Sequence, residues 1–479
     1  MKNIYVILFI IFTCLIFVMT AGASVQKEIE GNWEGTLKVP GTELRLVFRV
    51  YLNPDGILAA TMASPDQGIT GIPVDKVIQQ GNLLTLELKA IGGVFEGEIS
   101  KDYLAIEGQW KQSGTSFPIL LEKKEKATEI IRSQEPQKPY PYIEESVKYN
   151  NNEADIVLAG TLTLPGQEGP FPAVLLISGS GPQDRDETVF GHRPFLVLAD
   201  HLTRQGIAVL RVDDRGVGES TGDFSQSTSE DFTSDVLAGI EYLKTREEVN
   251  SKQIGLIGHS EGGLIAPMVA VQSQDVAFIV LMAGPGLPGE DILYVQNELI
   301  SKATGMSEEK IDRNRYYNER LYSLVKEEEN KETLKEKASK IFEEYFTELT
   351  LEEKVEIGDW DAYIAGQLQG LLSPWFQYFL IYDPRPTLSK VTCPVLAING
   401  EKDLQVPPEV NLRAIEEALT SGGNKNFIIK ELPGLNHLFQ TAQTGSPDEY
   451  ARIEETVSPI ALELISDWIL NQTVLLPGK

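Results

Sequence analysis

Ile254-Gly255-Leu256-Ile257-Gly258-His259-Ser260-Glu261-Gly262-Gly263-Leu264-Ile265-Ala266 runs from a short apolar strand, through a sharp G-x-S-x-G turn, into a helix-compatible segment. Strand and helix approach closely at such a turn, which is why glycines flank the serine on both sides. The serine itself is held in strained backbone geometry that lifts its hydroxyl clear of the sheet. Glu261, the next residue, then presents its backbone N–H at the helix start, where it can stabilise a developing oxyanion. Gly218-Glu219-Ser220-Thr221-Gly222 also fits G-x-S-x-G, but it follows a turn-like Asp213-Asp214-Arg215-Gly216 and leads into a polar run. Ser220 is therefore read as a structural loop residue and Ser260 as the candidate nucleophile.

A serine hydroxyl needs a histidine base at neutral pH, and that histidine needs a carboxylate to hold its tautomer. Of the four histidines, His192 and His201 precede the elbow, and His259 adjoins Ser260 on a segment expected to point it elsewhere. His437, in Pro433-Gly434-Leu435-Asn436-His437, is the one downstream and is the candidate base. The carboxylate is sought between Ser260 and His437, at the end of another strand. Val395 to Asp403 supplies Asp403, with Glu401 and Asp383 as competitors. Ile177-Ser178-Gly179-Ser180-Gly181 ends the first core strand, where a second oxyanion amide is expected, and Ser180 is the candidate. The polar loop Gln183, Asp184, Arg185, Asp186 and His192 is placed at the mouth of the site.

Working outward, apolar strands alternate with helix-length segments: Ala173 to Ile177, Ile207 to Val212, Ile254 to Ile257, Val276 to Met282, Val395 to Ile398 and Phe427 to Leu432. Such alternation predicts a parallel α/β sheet. Between 289 and 373 it stops, giving way to Glu- and Lys-rich helical spacing such as Leu334, Ala338, Ile341 and Phe346, an insertion. Trp375, Phe376, Tyr378 and Phe379 follow it and are candidates for shaping an acyl pocket, with packing as the alternative.

Before the sheet, residues 27–125 carry short β-rich runs separated by turns such as Asn53-Pro54-Asp55-Gly56, which predicts a small antiparallel barrel or sandwich. It is read as a spacer or docking module without chemistry of its own. Residues 126–141, charged and carrying Pro136, Pro139 and Pro141, are read as a linker to a domain spanning 142–479. At the other end, Lys2, the apolar stretch Ile4 to Met19 and Ala21-Gly22-Ala23 have the order of a secretory signal cleaved after Ala23 (residues 1–23), the alternative being a retained anchor helix. A secreted or periplasmic chain follows, with no stable membrane insertion after cleavage.

Composition narrows the partners. The 479 residues hold 42 Lys and Arg against 70 Asp and Glu, a formal net charge of -28, which argues against nucleic acid because affinity for polyphosphate comes from Lys and Arg. The two cysteines, Cys14 and Cys393, offer no pair for a metal, and the histidines lack H-x-x-x-H spacing. Gly284-Pro285-Gly286-Leu287-Pro288-Gly289 has the G-x-G-x-x-G form of a dinucleotide site, but two prolines remove the amides that would cradle pyrophosphate. No metal and no cofactor are expected.

The order Ser260, Asp403, His437, the elbow GHSEGG, the DDRGVGES loop and the GEKDLQVP segment together resemble the α/β-hydrolase superfamily. The nearest likeness is to secreted bacterial esterases and serine aminopeptidase-type hydrolases. The resemblance spans about Tyr142 to Leu470. It implies an eight-stranded, mostly parallel sheet with residues 289–373 as a helical cap, and a serine hydrolase without cofactor. Ser178-Gly179 departs from the commoner His-Gly at the oxyanion turn. The expected activity is that of a carboxylesterase on small, short-acyl esters. A peptidase of the same fold and a non-catalytic envelope binding protein are the alternatives.

Overall fold

The computed structural model describes residues 29–475 apart from 40–41, 54–55, 68, 113–114 and 127–131. The expected signal segment 1–23 lies outside the described residues. The chain divides into two compact units, one of residues 1–131 with 351–360 and one of residues 132–350 with 361–479.

In the first unit nine strands form one antiparallel sheet: β1 (Gly31–Val39), β2 (Thr42–Leu52), β3 (Leu58–Ser64), β4 (Ile69–Pro73), β5 (Lys76–Gln80), β6 (Leu83–Leu88), β7 (Gly93–Ile99), β8 (Ala105–Gln112) and β9 (Thr115–Lys124). Their order is β4-β3-β2-β1-β9-β8-β7-β6-β5. Period-two alternation sends Phe95 inward and Glu96 and Glu98 outward along β7. One cluster, including Trp33, Phe48, Leu86, Phe95, Ile106 and Trp110, collects the inward face of the strands. Gly97 and Gly108 are cross-strand partners, and a Cβ on Gly108 would fall 2.7 Å from the Gly97 Cα. Their backbones thus come closer than side chains permit, which lets the sheet bend. Of the two expected forms the sandwich is corrected: the nine strands of this unit form a single curled sheet around the core, with no second sheet among the described residues of the unit.

The second unit is built on β10 (Ile143–Asn151), β11 (Ile156–Leu164), β12 (Phe171–Ile177), β13 (Ala208–Val212), β14 (Val249–His259), β15 (Val276–Met282), β16 (Val395–Gly400) and β17 (Phe427–Leu432). The order is β10-β11-β13-β12-β14-β15-β16-β17. β10 and β11 pair antiparallel, as do β11 and β13, whereas the pairs from β13 through β17 are parallel. The six apolar runs read from the sequence are β12 to β17. β12, β13, β15, β16 and the later half of β14 are buried on both sides because helices cover both faces, whereas the edge strand β17 exposes Ile428, Lys430 and Glu431. Ala173, Leu175 and Ile177 join one core with Ile240, Leu243 and Ile265, while Val174 and Leu176 join the other with Leu198, Leu202 and Ile465.

Two expected boundaries move. Of the linker 126–141, Arg132 onward belongs to the second unit: the buried Arg132 guanidinium donates to the carbonyls of Gly191, Ala451 and Ile453, and the Gln134 amide donates to that of Val457. Proline and charge here mark an ordered strap, because backbone carbonyls satisfy the guanidinium. Residues 289–373, expected as a cap, hold the helices Gly289–Ala303, Glu308–Glu327, Lys331–Glu348, Leu351–Ile357 and Trp360–Leu371, with Pro374–Ile381 directly after them. This span is not one body, since residues 351–360 group with the β-sheet unit.

Candidate active site

Strand β14 ends at His259, and the helix Gly262–Gln272 begins three residues on. Ser260 between them has φ 51°, a left-handed conformation that costs a non-glycine residue about 1–3 kcal/mol and is tolerated where function needs it. The turn is locked from both sides. The Ser260 amide donates to the Met282 carbonyl at the end of β15 (2.8 Å), and a Cβ on Gly263 would fall 2.6 Å from the Gly284 Cα. That contact gives Gly284, the first glycine of the dinucleotide-like run, a packing role against the elbow.

β16 delivers Asp403 and β17 delivers His437 through the loops at their C-terminal ends, on the same edge of the sheet as the elbow. His437 Nδ1 lies 2.8 Å from Asp403 Oδ2. The other carboxylate oxygen accepts the amides of Gln405 and Val406, each at 2.8 Å. With Nδ1–H facing a carboxylate, Nε2 is left as the nitrogen able to accept a proton. Asp403 and His437 are buried. The competitors lie elsewhere: Glu401 accepts the Gly434 amide on the surface, and Asp383 pairs with Arg385. Ser220 is a loop brace, its hydroxyl donating to the Asp213 carbonyl and accepting the Ala159 amide.

Ser260 and His437 face one cavity of about 240 Å³, lined also by Gly179, Ser180, Gln183, Glu187, Glu261, Ile292, Leu293, Trp375 and Phe379. Trp375 and Phe379, four residues apart, share the helix face turned to the cavity. Phe376 does not line it: its position is a helical step of about 100° away, and its ring packs on Tyr322 instead. The expected mouth loop is likewise only partly at the mouth. Gln183 reaches the cavity, but Arg185 pairs with Asp213 and Asp186 with Arg211. His192 is wholly buried, bonded to Thr456 and the Tyr450 carbonyl, and burial pushes its pKa down to about 4. His201 bonds Ser466.

The 178–181 turn stands against the elbow, since a Cβ on Gly179 would come within 3.3 Å of Ser260 Cβ. The Gly179 amide is spent on Glu187 Oε1 (2.7 Å), which leaves the next amide, Ser180, as the candidate oxyanion donor beside that of Glu261. The Glu261 carboxyl is buried, accepts Ser229 Oγ (2.6 Å) and Trp375 Nε1 (2.8 Å), and is raised above the usual carboxylate range by burial. Sequence reasoning missed Glu187 altogether. Nothing sets it apart from the neighbouring acids of the run 183–188 except its left-handed backbone (φ 53°), which a single sequence does not display. His259 was expected to point elsewhere. Its ring instead joins the site, Nδ1 being 2.9 Å from Glu187 Oε1 and Nε2 3.0 Å from the His437 carbonyl.

Among the described residues no group of His, Cys, Asp and Glu is placed to hold a metal ion, and no helix is long and apolar enough to cross a membrane.

A family model described as serine aminopeptidase, S33 (Hydrolase_4) matches residues 193–357, a span that holds the elbow and stops before Asp403 and His437. The chain is 28% identical over 316 residues to esterase EstD of Thermotoga maritima, 66% of each chain; it thus spans just under two thirds of that relative's length. It is 29% identical over 158 residues to the putative hydrolase YtaP of Bacillus subtilis, 26% of this chain and 52% of that one. Among solved structures, an esterase of Pyrococcus furiosus aligns with a TM-score of 0.42 at 15% identity, over 70% of this chain and 94% of that one. In its elbow and sheet order, and in its likeness to this family model and to the Thermotoga maritima esterase, the chain is similar to the α/β-hydrolase superfamily.

Proposed function

We propose that the protein is a secreted serine hydrolase, a carboxylesterase that cleaves small, short-acyl esters through an acyl-enzyme. In this reading Ser260 Oγ attacks the ester carbonyl carbon, and His437 Nε2 takes the hydroxyl proton and returns it to the leaving alcohol. Asp403 holds the imidazole tautomer and stabilises the imidazolium. The amides of Glu261 and Ser180 receive the oxyanion, and water attacking the acyl-enzyme with His437 as base regenerates Ser260.

The observation that carries the reading is the convergence of the strained Ser260 and the Asp403-paired His437 on one cavity of about 240 Å³. That space is smaller than pockets for drug-sized ligands, roughly 300–1,000 Å³, and its apolar walls, Ile292, Leu293, Trp375 and Phe379, suit a short acyl chain. An aminopeptidase-type activity is the second reading, favoured by the carboxyls of Glu187 and Glu261 in the same wall and by the description of the matching family model. The Glu261 carboxyl and Glu187 Oε1 already have partners within the chain, which favours the ester.

The deciding experiment compares the mature protein with Ser260→Ala on a short-chain p-nitrophenyl ester and on aminoacyl p-nitroanilides. Ester turnover lost in the variant supports the proposal. Dominant anilide cleavage moves the chain to the peptidases, and activity surviving in Ser260→Ala removes Ser260 as nucleophile.

A further inference from the structure

His259 sits beside Ser260 with both ring nitrogens engaged, and the identity of the two partners constrains its protonation. Nε2 faces the His437 carbonyl at 3.0 Å, an oxygen that can only accept, so Nε2 must carry hydrogen. Nδ1 faces Glu187 Oε1 at 2.9 Å, and that same oxygen accepts the Gly179 amide at 2.7 Å. A carboxylate also only accepts, so a neutral ring would set a lone pair against it. Both nitrogens are satisfied as donors when the ring is an imidazolium and Glu187 a carboxylate.

The pair reaches every moving part of the proposed chemistry. His259 adjoins the nucleophile, its Nε2–H holds the backbone of the base, and Glu187 holds the amide immediately before the candidate oxyanion donor Ser180. The titratable groups facing the His259 ring are Glu187 from the 178–193 loop, His437, whose ring centroid is 4.9 Å away, and Asp403 beyond it on the β16 loop. Glu187 and His259 are both buried, so solvent screens their attraction little.

We propose that Glu187 and His259 are a charged positioning pair that keeps the His437 loop and the 178–181 turn in register with Ser260. The site then holds two histidines of opposite duty: His437 exchanges its proton in each turnover, and His259 keeps both of its own. The proposal rests on the assignment of Ser260 and His437 to the chemistry. Burial pushes the His259 pKa down, but Glu187 and the bond to the His437 carbonyl outweigh it and leave it above the ordinary histidine value, in keeping with the geometry.

The test uses the whole mature protein with 15N-labelled histidine rings, Glu187→Gln, and steady-state kinetics on a short p-nitrophenyl ester. At about pH 8, where an ordinary histidine is neutral, one of the four rings should show both nitrogens protonated, and Glu187→Gln should abolish that signal. The same variant should lose about 10- to 100-fold in kcat with KM changed by less than about threefold, the pattern of a misplaced catalytic group. Four neutral rings at that pH overturn the charged pair, and an unchanged kcat in a folded variant overturns its positioning role. If Glu187→Gln does not fold, the ring signals of the unaltered protein decide. Failure of the nucleophile assignment is read separately, from Ser260→Ala, and leaves the ring signals unchanged.

Discussion

The carboxyl of Glu261 and the indole N–H of Trp375 meet at 2.8 Å, joining the residue after Ser260 to the helix Pro374–Ile381, whose Trp375 and Phe379 line the cavity. Because Glu261 is buried, each of its hydrogen bonds replaces water that cannot reach it. Trp375→Phe keeps an aromatic ring in the wall but removes the donor, so the fold should weaken by about 1–3 kcal/mol. The KM for a short ester should rise more than kcat falls, since the cavity wall shifts while the Asp403–His437 pair is untouched. Thermal denaturation with steady-state kinetics checks this, and a variant matching the parent in both would separate the wall from the elbow.

Asp403 uses both oxygens, one for His437 and one for the amides of Gln405 and Val406. Asp403→Asn should retain the loop yet present an amide to His437 Nδ1, favouring the wrong tautomer. A loss of about three to four orders of magnitude in kcat is expected, with the thermal midpoint little changed. Glu401→Gln, altered at a surface carboxylate of the same loop, should stay near parental activity. The reverse ranking of the two variants would transfer the carboxylate role to Glu401.

What the sequence made legible follows from how locally each feature is encoded. The elbow announces Ser260 because strand, glycines and helix start lie within thirteen residues, and the strand ends at Asp403 and His437 are apolar runs followed by polar loops. Glu187 was hidden because its function depends on a left-handed backbone and on partners 72 residues away at His259. Arg132 was hidden by a proline-rich, charged neighbourhood that looks solvated; its partners at Ala451 and Ile453 come from the far end of the chain. Phe376 was misplaced because a cluster of aromatics does not reveal helical phase until the first residue of the helix is known.

The elbow's tolerance can be tested at Gly263. A Cβ there would fall 2.6 Å from the Gly284 Cα, backbone that cannot yield as a side-chain tip can. Gly263→Ala should therefore cost about 1–3 kcal/mol of overpacking and reduce ester turnover by displacing Ser260, three residues before it. By contrast Gly434→Ala, at a position where an added Cβ meets nothing but where φ is 73°, should cost only the backbone strain of about 1–2 kcal/mol and disturb turnover less. Matched kinetics and thermal midpoints for the two variants would show the tight contact to be unimportant.

Asp214 supplies a pH prediction. Its carboxyl accepts Ser178 Oγ and the Gln183 amide beside the 178–181 turn. Burial, with Glu261 and Glu187 adding to it, pushes its pKa up to about 8 against those two hydrogen bonds. In the unfolded chain the same group ionises near an ordinary value of about 4. Between these limits the native state holds a proton that the unfolded state has lost, so this group makes stability fall as pH rises, by up to about 1.4 kcal/mol per pH unit. Asp214→Asn removes the titration and should flatten that part of the slope. Thermal midpoints of parent and variant at about pH 5 and about pH 8 check it: the parent should lose more across the interval, and parallel losses would mean that Asp214 ionises alike in both states.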